Sequence, residues 1–394
     1  MIPIYHSKSP TLSEEGRQVL YNNLSKNLGG YAEQLRWCDK VCKLYPDNMC
    51  IRTIFRLLFI GADLCASLRA CLLAKEEYER RYQIKYLWVN LHEAYKAIYN
   101  NDADANSYLA QFATAYPAAL ASTEYIQSTE KLKELEQAIL KDLRKPRNSI
   151  LHFDTDVCKT IDWLNEFNSE ESSAHYCSEF LIVLNLLTRL CRKFIPIGIC
   201  TPQEQECNDT SVQIMGLLRE LLVKNEKLIQ TMLNVMSSVS KDVKIGKLIC
   251  LVRDIIPGAK QLRSVKVWNA GMLIQILRAD LAAALLSGLR SGHEFECRLN
   301  MRRFWIIRYE GLSRLQEILK DLPDMERERL EIQDVVYTLD AQQRDAAAHY
   351  RYETIDYIPR AYKDCMQPLD TVFNVMEMLT FLNQLNKLRM QVVR

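Results

Sequence analysis

Thirty-two consecutive residues, Ala62 to Glu93, recur without a gap as Ala279 to Glu310, 217 positions later (279 − 62 = 217). Eleven of the 32 positions are identical, among them Ala66 with Ala283, Glu77 with Glu294, Glu79 with Glu296, Arg81 with Arg298 and Trp88 with Trp305. Unrelated helices of ordinary composition agree at roughly one position in fifteen. The match is read as a tandem duplication, so whatever the first half builds, the second is expected to build again. Apolar residues recur at intervals of three and four in both copies, the spacing of one face of a helix. Glycine (12) and proline (11) are scarce in 394 residues, and period-two alternation is hard to find. The expected fold is all-α: two tandem helical-bundle domains related by duplication.

The same spacing places the helices. Tyr31 to Tyr45 reads as a first amphipathic helix, preceded by Gly29-Gly30 and stopped by Pro46. Long helices are expected over about Cys50 to Ala74 and Glu76 to Tyr99, the second with Tyr82, Leu87, Leu91, Tyr95 and Ile98 near one face. Segments at about Ala105 to Ala115 and Pro117 to Leu143 come next, then an apolar helix from about Tyr176 to Phe194. Pro196, Gly198 and Pro202, set among polar residues, mark a boundary. It divides the chain into a first domain (1–197), a linker (198–209) and a second domain (210–394).

A formal net charge of +2 creates no whole-protein field for a polyanion, so any nucleic-acid contact must rest on a local basic patch. The 13 cysteines lie singly in apolar helical stretches, as in Leu64-Cys65 and Leu190-Cys191. An odd count without framework spacing predicts reduced thiols and a cytoplasmic location. Cys38 and Cys42 share a helical spacing, but no second pair of matching spacing exists, so buried thiols are preferred to a metal site. Met1-Ile-Pro-Ile-Tyr lacks the basic then apolar pattern of a signal peptide. The most apolar stretch, Ile51 to Leu73, is interrupted by Arg52, Arg56, Asp63 and Arg69, and no membrane span or membrane partner is expected.

Two short motifs carry the chemistry. Arg147-Asn148-Ser149-Ile150-Leu151-His152 returns as Arg344-Asp345-Ala346-Ala347-Ala348-His349: an arginine, a small polar residue, three more residues and a histidine. Five residues span about one and a half turns of helix, which sets cation and imidazole near each other at one helix end. Pro146 disfavours helix before it and readily begins one, so Arg147 is expected in a first turn or the loop leading to it, where backbone N–H groups face an anion. The motif arginines are 197 apart (344 − 147), so the first copy carries about twenty extra residues, expected near Asn100 to Pro117. Beyond them Thr160-Ile161-Asp162-Trp163 answers Thr354-Ile355-Asp356-Tyr357.

Two helical repeats, each ending in an arginine, four residues and a histidine with Asn or Asp after the arginine, resemble the HEPN superfamily. The resemblance covers the architecture of nearly the whole chain, although its specific part is short. It implies an RNA-cleaving site where two HEPN domains meet about a two-fold axis, here as an intramolecular pseudo-dimer or a homodimer. The implied activity is a metal-independent endoribonuclease with no cofactor: the ribose 2′-hydroxyl attacks the adjacent phosphorus, leaving 2′,3′-cyclic phosphate and 5′-hydroxyl ends. His152 and His349 would move protons, while Arg147 and Arg344 would steady charge on the phosphoryl oxygens. Asn148 and Asp345 take supporting roles. The setting implied is prokaryotic defence against phage, or a toxin, acting on single-stranded or tRNA-like RNA, with a regulatory or antitoxin protein as partner.

Around the motifs, Lys141, Arg144, Lys145 and Arg351, with Arg360 and Lys363, are candidates to follow an RNA backbone; solvated helix ends are the competing reading. Glu93 and Glu310, preserved across the repeat, are placed to orient a motif arginine or to face solvent. Trp88 and Trp305 are read as core anchors. His92 is matched by Tyr309, so no imidazole is required there, and His6, His175 and His293 are read as surface or core residues. Asp154 and Arg351 stand two residues after the motif histidines, where toxins paired with a nucleotidyltransferase carry a modifiable tyrosine, which argues against that regulation. The alternative is a non-catalytic helical interaction or scaffold module, whose motif substitutions would alter stability or partner binding and leave RNA intact.

Overall fold

The computed structural model describes residues 12–99, 107–141, 147–148, 151, 153–166, 169–196, 216, 220, 226–337 and 368–392. All regular structure among the described residues is helical. The long elements are α1 (Glu14–Leu44), α2 (Met49–Leu73), α3 (Glu77–Ile98), α4 (Tyr108–Ala115), α5 (Thr123–Glu136), α6 (Val157–Glu166) and α7 (Glu170–Lys193). They are followed by α8 (Glu226–Ile255), α9 (Arg263–Arg290), α10 (Glu294–Leu319), α11 (Glu326–Tyr337) and α12 (Pro368–Val392). The boundary expected at 198–209 lies outside the described residues.

Two long helices organise the rest. The α2 helix packs against α1, α3 and α7, and α9 packs in the same way against α8, α10 and α12. Both are apolar on nearly every side, as helices enclosed by neighbours must be. The α9 helix is long and apolar enough to cross a membrane by composition, and 94% of its most apolar window is buried inside the protein, as a core helix requires. Close approach needs small residues at the crossings. A Cβ on Gly61 would stand 2.7 Å from Cζ of Tyr31 on α1, and one on Gly311 would stand 2.0 Å from Cδ2 of Leu277 on α9.

Several boundaries differ from those expected. The α1 helix begins at Glu14 and runs through Gly29 and Gly30. Each glycine costs about 1 kcal/mol in a helix, but Leu24, Leu28, Tyr31, Leu35 and Cys38 are buried on one continuous face, and that packing outweighs propensity. Its start is fixed by Ser13, whose Oγ accepts from the N–H of Gly16 at 3.1 Å. The stretch from Pro117 is broken into a 3-10 turn, α5 and a π-helical turn (Gln137–Lys141), because Ser122 caps a new helix through the N–H of Tyr125 at 3.2 Å. The α7 helix starts six residues before Tyr176, at Glu170, capped by Ser169.

The two groups of helices share their interiors. The first core, around α2 and α7, also takes in Phe295, Leu299 and Ile306 of α10. The second, around α9, takes in Tyr78, Tyr82 and Tyr86 of α3. Accordingly α10 lies against α2, and α3 against α9.

Charges are buried at the same junction. Lys85 pairs with Asp280, which also accepts from the Tyr78 hydroxyl at 3.0 Å, and Arg302 pairs with Asp63. Glu79 pairs with Arg290 at 3.0 Å and Glu296 with Arg69 at 2.8 Å. Burial lowers the Lys85 ammonium below its ordinary value and raises the Asp280 carboxyl, each opposed by the other's charge. Gln83 Nε2 donates to Ser287 Oγ at 2.8 Å and to Asn300 Oδ1 at 3.3 Å.

The cysteines among the described residues divide. Cys38, Cys42, Cys50, Cys65, Cys71, Cys177, Cys191 and Cys297 are free thiols, as expected. Cys158 and Cys250 are joined in a disulfide, correcting the expectation of reduced thiols throughout. No spacing signals that pair, since its cysteines are 92 residues apart and meet only because α6 lies on α8.

Candidate functional site

Arg147 opens the first motif. Its Nε donates to Oε1 of Glu93 at 2.7 Å, and its Nη1 donates to Oδ1 of Asn148 at 2.8 Å. Glu93 lies near the end of α3 with its side chain 7% exposed; that of Arg147 is 13% exposed. A charge-assisted bond in so little solvent fixes the plane of the guanidinium. His92 Nδ1 is 3.4 Å from the same Glu93 oxygen. The sequence offered Glu93 either an orienting role or a solvated one, and the geometry supplies the first. Asn148 supports the arginine directly and is itself exposed.

His152 lies outside the described residues, as do Arg344, Asp345 and His349 of the second motif, and Arg144, Lys145, Arg351, Arg360 and Lys363 of the basic flank. Lys141 closes the π-helical turn at the end of α5. The residues on either side of position 152 are informative. Leu151 is buried in the first core and Phe153 in the second. Phe153 takes a left-handed backbone conformation (φ 47°), uncommon for an aromatic residue and sustained here by the complete burial of its ring.

The segment after Phe153 is clamped to the C-terminal helices. Asp154 accepts from the N–H of Asp156 at 2.9 Å, and Asp156 accepts from the N–H of Cys158 at 3.2 Å, capping α6. Asn269 of α9 grips this cap from both sides: its Oδ1 accepts from the N–H of Val157 at 3.2 Å, and its Nδ2 donates to the carbonyl of Thr155 at 2.7 Å. Arg253 of α8 pairs with Asp156. Burial pushes the Asp156 carboxyl up, but the Arg253 hydrogen bond and charge outweigh it and hold the group below its ordinary value. The Cys158–Cys250 disulfide, with Cα atoms 5.7 Å apart, closes the attachment one residue into the helix.

Sequence reasoning did not find Arg253, Asn269 or Cys250, because their partners are distant in the chain and none sits in a motif. The buried pairs did leave a signal: Asp63 and Asp280 are charged residues in apolar helices, and Lys85 and Arg302 are basic at the same repeat spacing. Trp88 is a core anchor, donating to Ser173 Oγ at 3.0 Å and packing on Tyr176. Cys38 is buried, and burial holds both its thiol and that of Cys42 above the ordinary range, Cys42 at about 11. Among the described residues no group of three or more His, Cys, Asp or Glu is arranged to hold a metal.

Comparison with known proteins finds no family model, no curated protein and no solved structure that matches the chain.

Proposed function

We propose that the chain is a tandem-HEPN endoribonuclease, its two repeats packed as an intramolecular pseudo-dimer with one composite site between them. The single observation that carries the site is the Glu93 to Arg147 hydrogen bond: a motif arginine held by a residue that the repeat preserves. An arginine that only capped carbonyls would need no buried carboxylate behind it.

The pairing of the repeats is supported by arithmetic. The contacts Lys85 with Asp280 and Arg302 with Asp63 exchange under a shift of 217 (85 + 217 = 302; 63 + 217 = 280). Gln83 meets Asn300, its own repeat partner (83 + 217 = 300), as a residue near a two-fold axis does. Tyr78 and Tyr82 enter the second core, and their counterparts Phe295 and Leu299 enter the first.

In this reading His152 and His349 take a proton from the ribose 2′-hydroxyl and return one to the leaving 5′-oxygen. Arg147 and Arg344 donate to the phosphoryl oxygens as negative charge builds on them. Asn148 and Asp345 hold the arginines, and basic residues beside the motifs track the RNA backbone. The test is cleavage of a single-stranded and tRNA pool in EDTA, with 2′,3′-cyclic phosphate ends as readout. Loss of cleavage in both Arg147→Ala and His349→Ala, with unchanged melting, is the expected result. Retained cleavage in either variant alone overturns the composite site, and cleavage indifferent to both overturns the nuclease reading in favour of an interaction module.

A further inference from the structure

The α8 helix has two faces with opposite problems. Val239, Val243, Cys250 and Arg253 point into the protein and are buried. On the far side Ile245, Leu248, Leu251, Val252 and Ile255, with Ile256 just past the helix end, are each at least half exposed, Ile255 by 78%. These six side chains form an uncovered apolar area on the order of 600 Å², the upper end of what a monomer ordinarily shows. Their spacing is not scattered. Residues 245, 248, 252 and 255 keep intervals of three, four and three, the seam of a helix made to pack on another helix.

We propose that the chain self-associates through this face, two copies of α8 packing antiparallel about a two-fold axis level with Cys250. In that register residue i lies level with residue 500 − i of the partner copy, so Ile245 meets Ile255 and Leu248 meets Val252 along the seam. The apolar set closes on itself, as an isologous contact demands. Lys244 flanks the seam, where its aliphatic stem can cover apolar surface while the ammonium reaches water. A parallel pair would instead crowd Lys241, Lys244 and Lys247 against their own copies; the antiparallel one sends the two basic clusters to opposite ends. The two faces together bury roughly 1,200 Å², within the range of specific interfaces. This surface lies opposite the Arg253 and Cys250 attachment and is separate from the contacts that join the two repeats.

The test is sedimentation of the full chain over a range of concentrations. A dimer is expected, and Leu248→Lys with Ile255→Lys should return it to monomer with an unchanged circular-dichroism melt. Mixing a Leu248→Cys chain with a Val252→Cys chain should give more cross-linked dimer under mild oxidation than either chain alone. A wild-type chain that stays monomeric at its highest soluble concentration overturns the proposal. So does a dimer that survives both lysines, or a monomer that instead binds phosphatidylserine vesicles through these residues.

Discussion

The Nε of Arg147 donates to Oε1 of Glu93 at 2.7 Å, tying the first motif to a helix that ends some fifty residues before it. If the bond sets the arginine for chemistry, Glu93→Gln should keep the shape and lose the charge. RNA cleavage by that variant is expected to fall about 10- to 100-fold, mostly in kcat. Arg147→Lys should be nearly as poor, since lysine has no fork to serve carboxylate and phosphate together. Initial rates on labelled RNA decide this; a Glu93→Gln chain cleaving at the wild-type rate removes the positioning role.

Lys85→Met leaves Asp280 buried without its cation. A loss of about 3–5 kcal/mol in urea unfolding is expected. Lys85→Met combined with Asp280→Leu should recover much of it, because the cost lies in the stranded charge more than in the missing pair.

The Glu296 carboxyl is raised to about 7, first by burial, with Arg69 opposing. The folded chain therefore holds a proton that the unfolded chain releases near 4.5. Stability from this group is complete below that value and is lost as pH rises through about 7. Glu296→Gln stays neutral throughout, so its stability relative to wild type should improve between pH 5 and 8, by up to about 3 kcal/mol. Thermal melts of both chains at matched ionic strength read the difference; parallel melting curves against pH would contradict it.

Cys158→Ser opens the 92-residue link to α8. A loss of about 2–4 kcal/mol is expected, and a non-reducing peptide map of the wild type should show these two cysteines joined. Alkylation of both in the native, unreduced protein would refute the pairing.

Gly311→Ala forces its new methyl into Leu277, which is 1% exposed and has no room to turn. The expected cost is about 1–3 kcal/mol. Adding Leu277→Ala should make the second substitution cheaper than it is alone, a coupling that a double-mutant cycle measures.

The helices and their core faces were legible because apolar spacing is local: α2 and α3 begin and end within a residue or so of the expected positions. The early start of α1 was hidden by Gly29 and Gly30, whose local preference loses to packing on α2. Glu93 was legible as a repeated acid, while Arg253 and Asn269 were not, since each is one ordinary residue whose partner lies about a hundred positions away. Periodicity reports which side of a helix is buried, and it carries no record of which distant helix does the burying.

Phe295, Leu299 and Ile306 complete the first core from a helix that begins at Glu294. During synthesis, the first seven helices emerge with that interior still missing its last side chains, and with Asp63 and Arg69 awaiting Arg302 and Glu296. The nascent N-terminal portion must wait, partly unfinished, for roughly a hundred further residues to leave the ribosome. Truncation before α10 should therefore yield an aggregation-prone fragment in place of a smaller working protein.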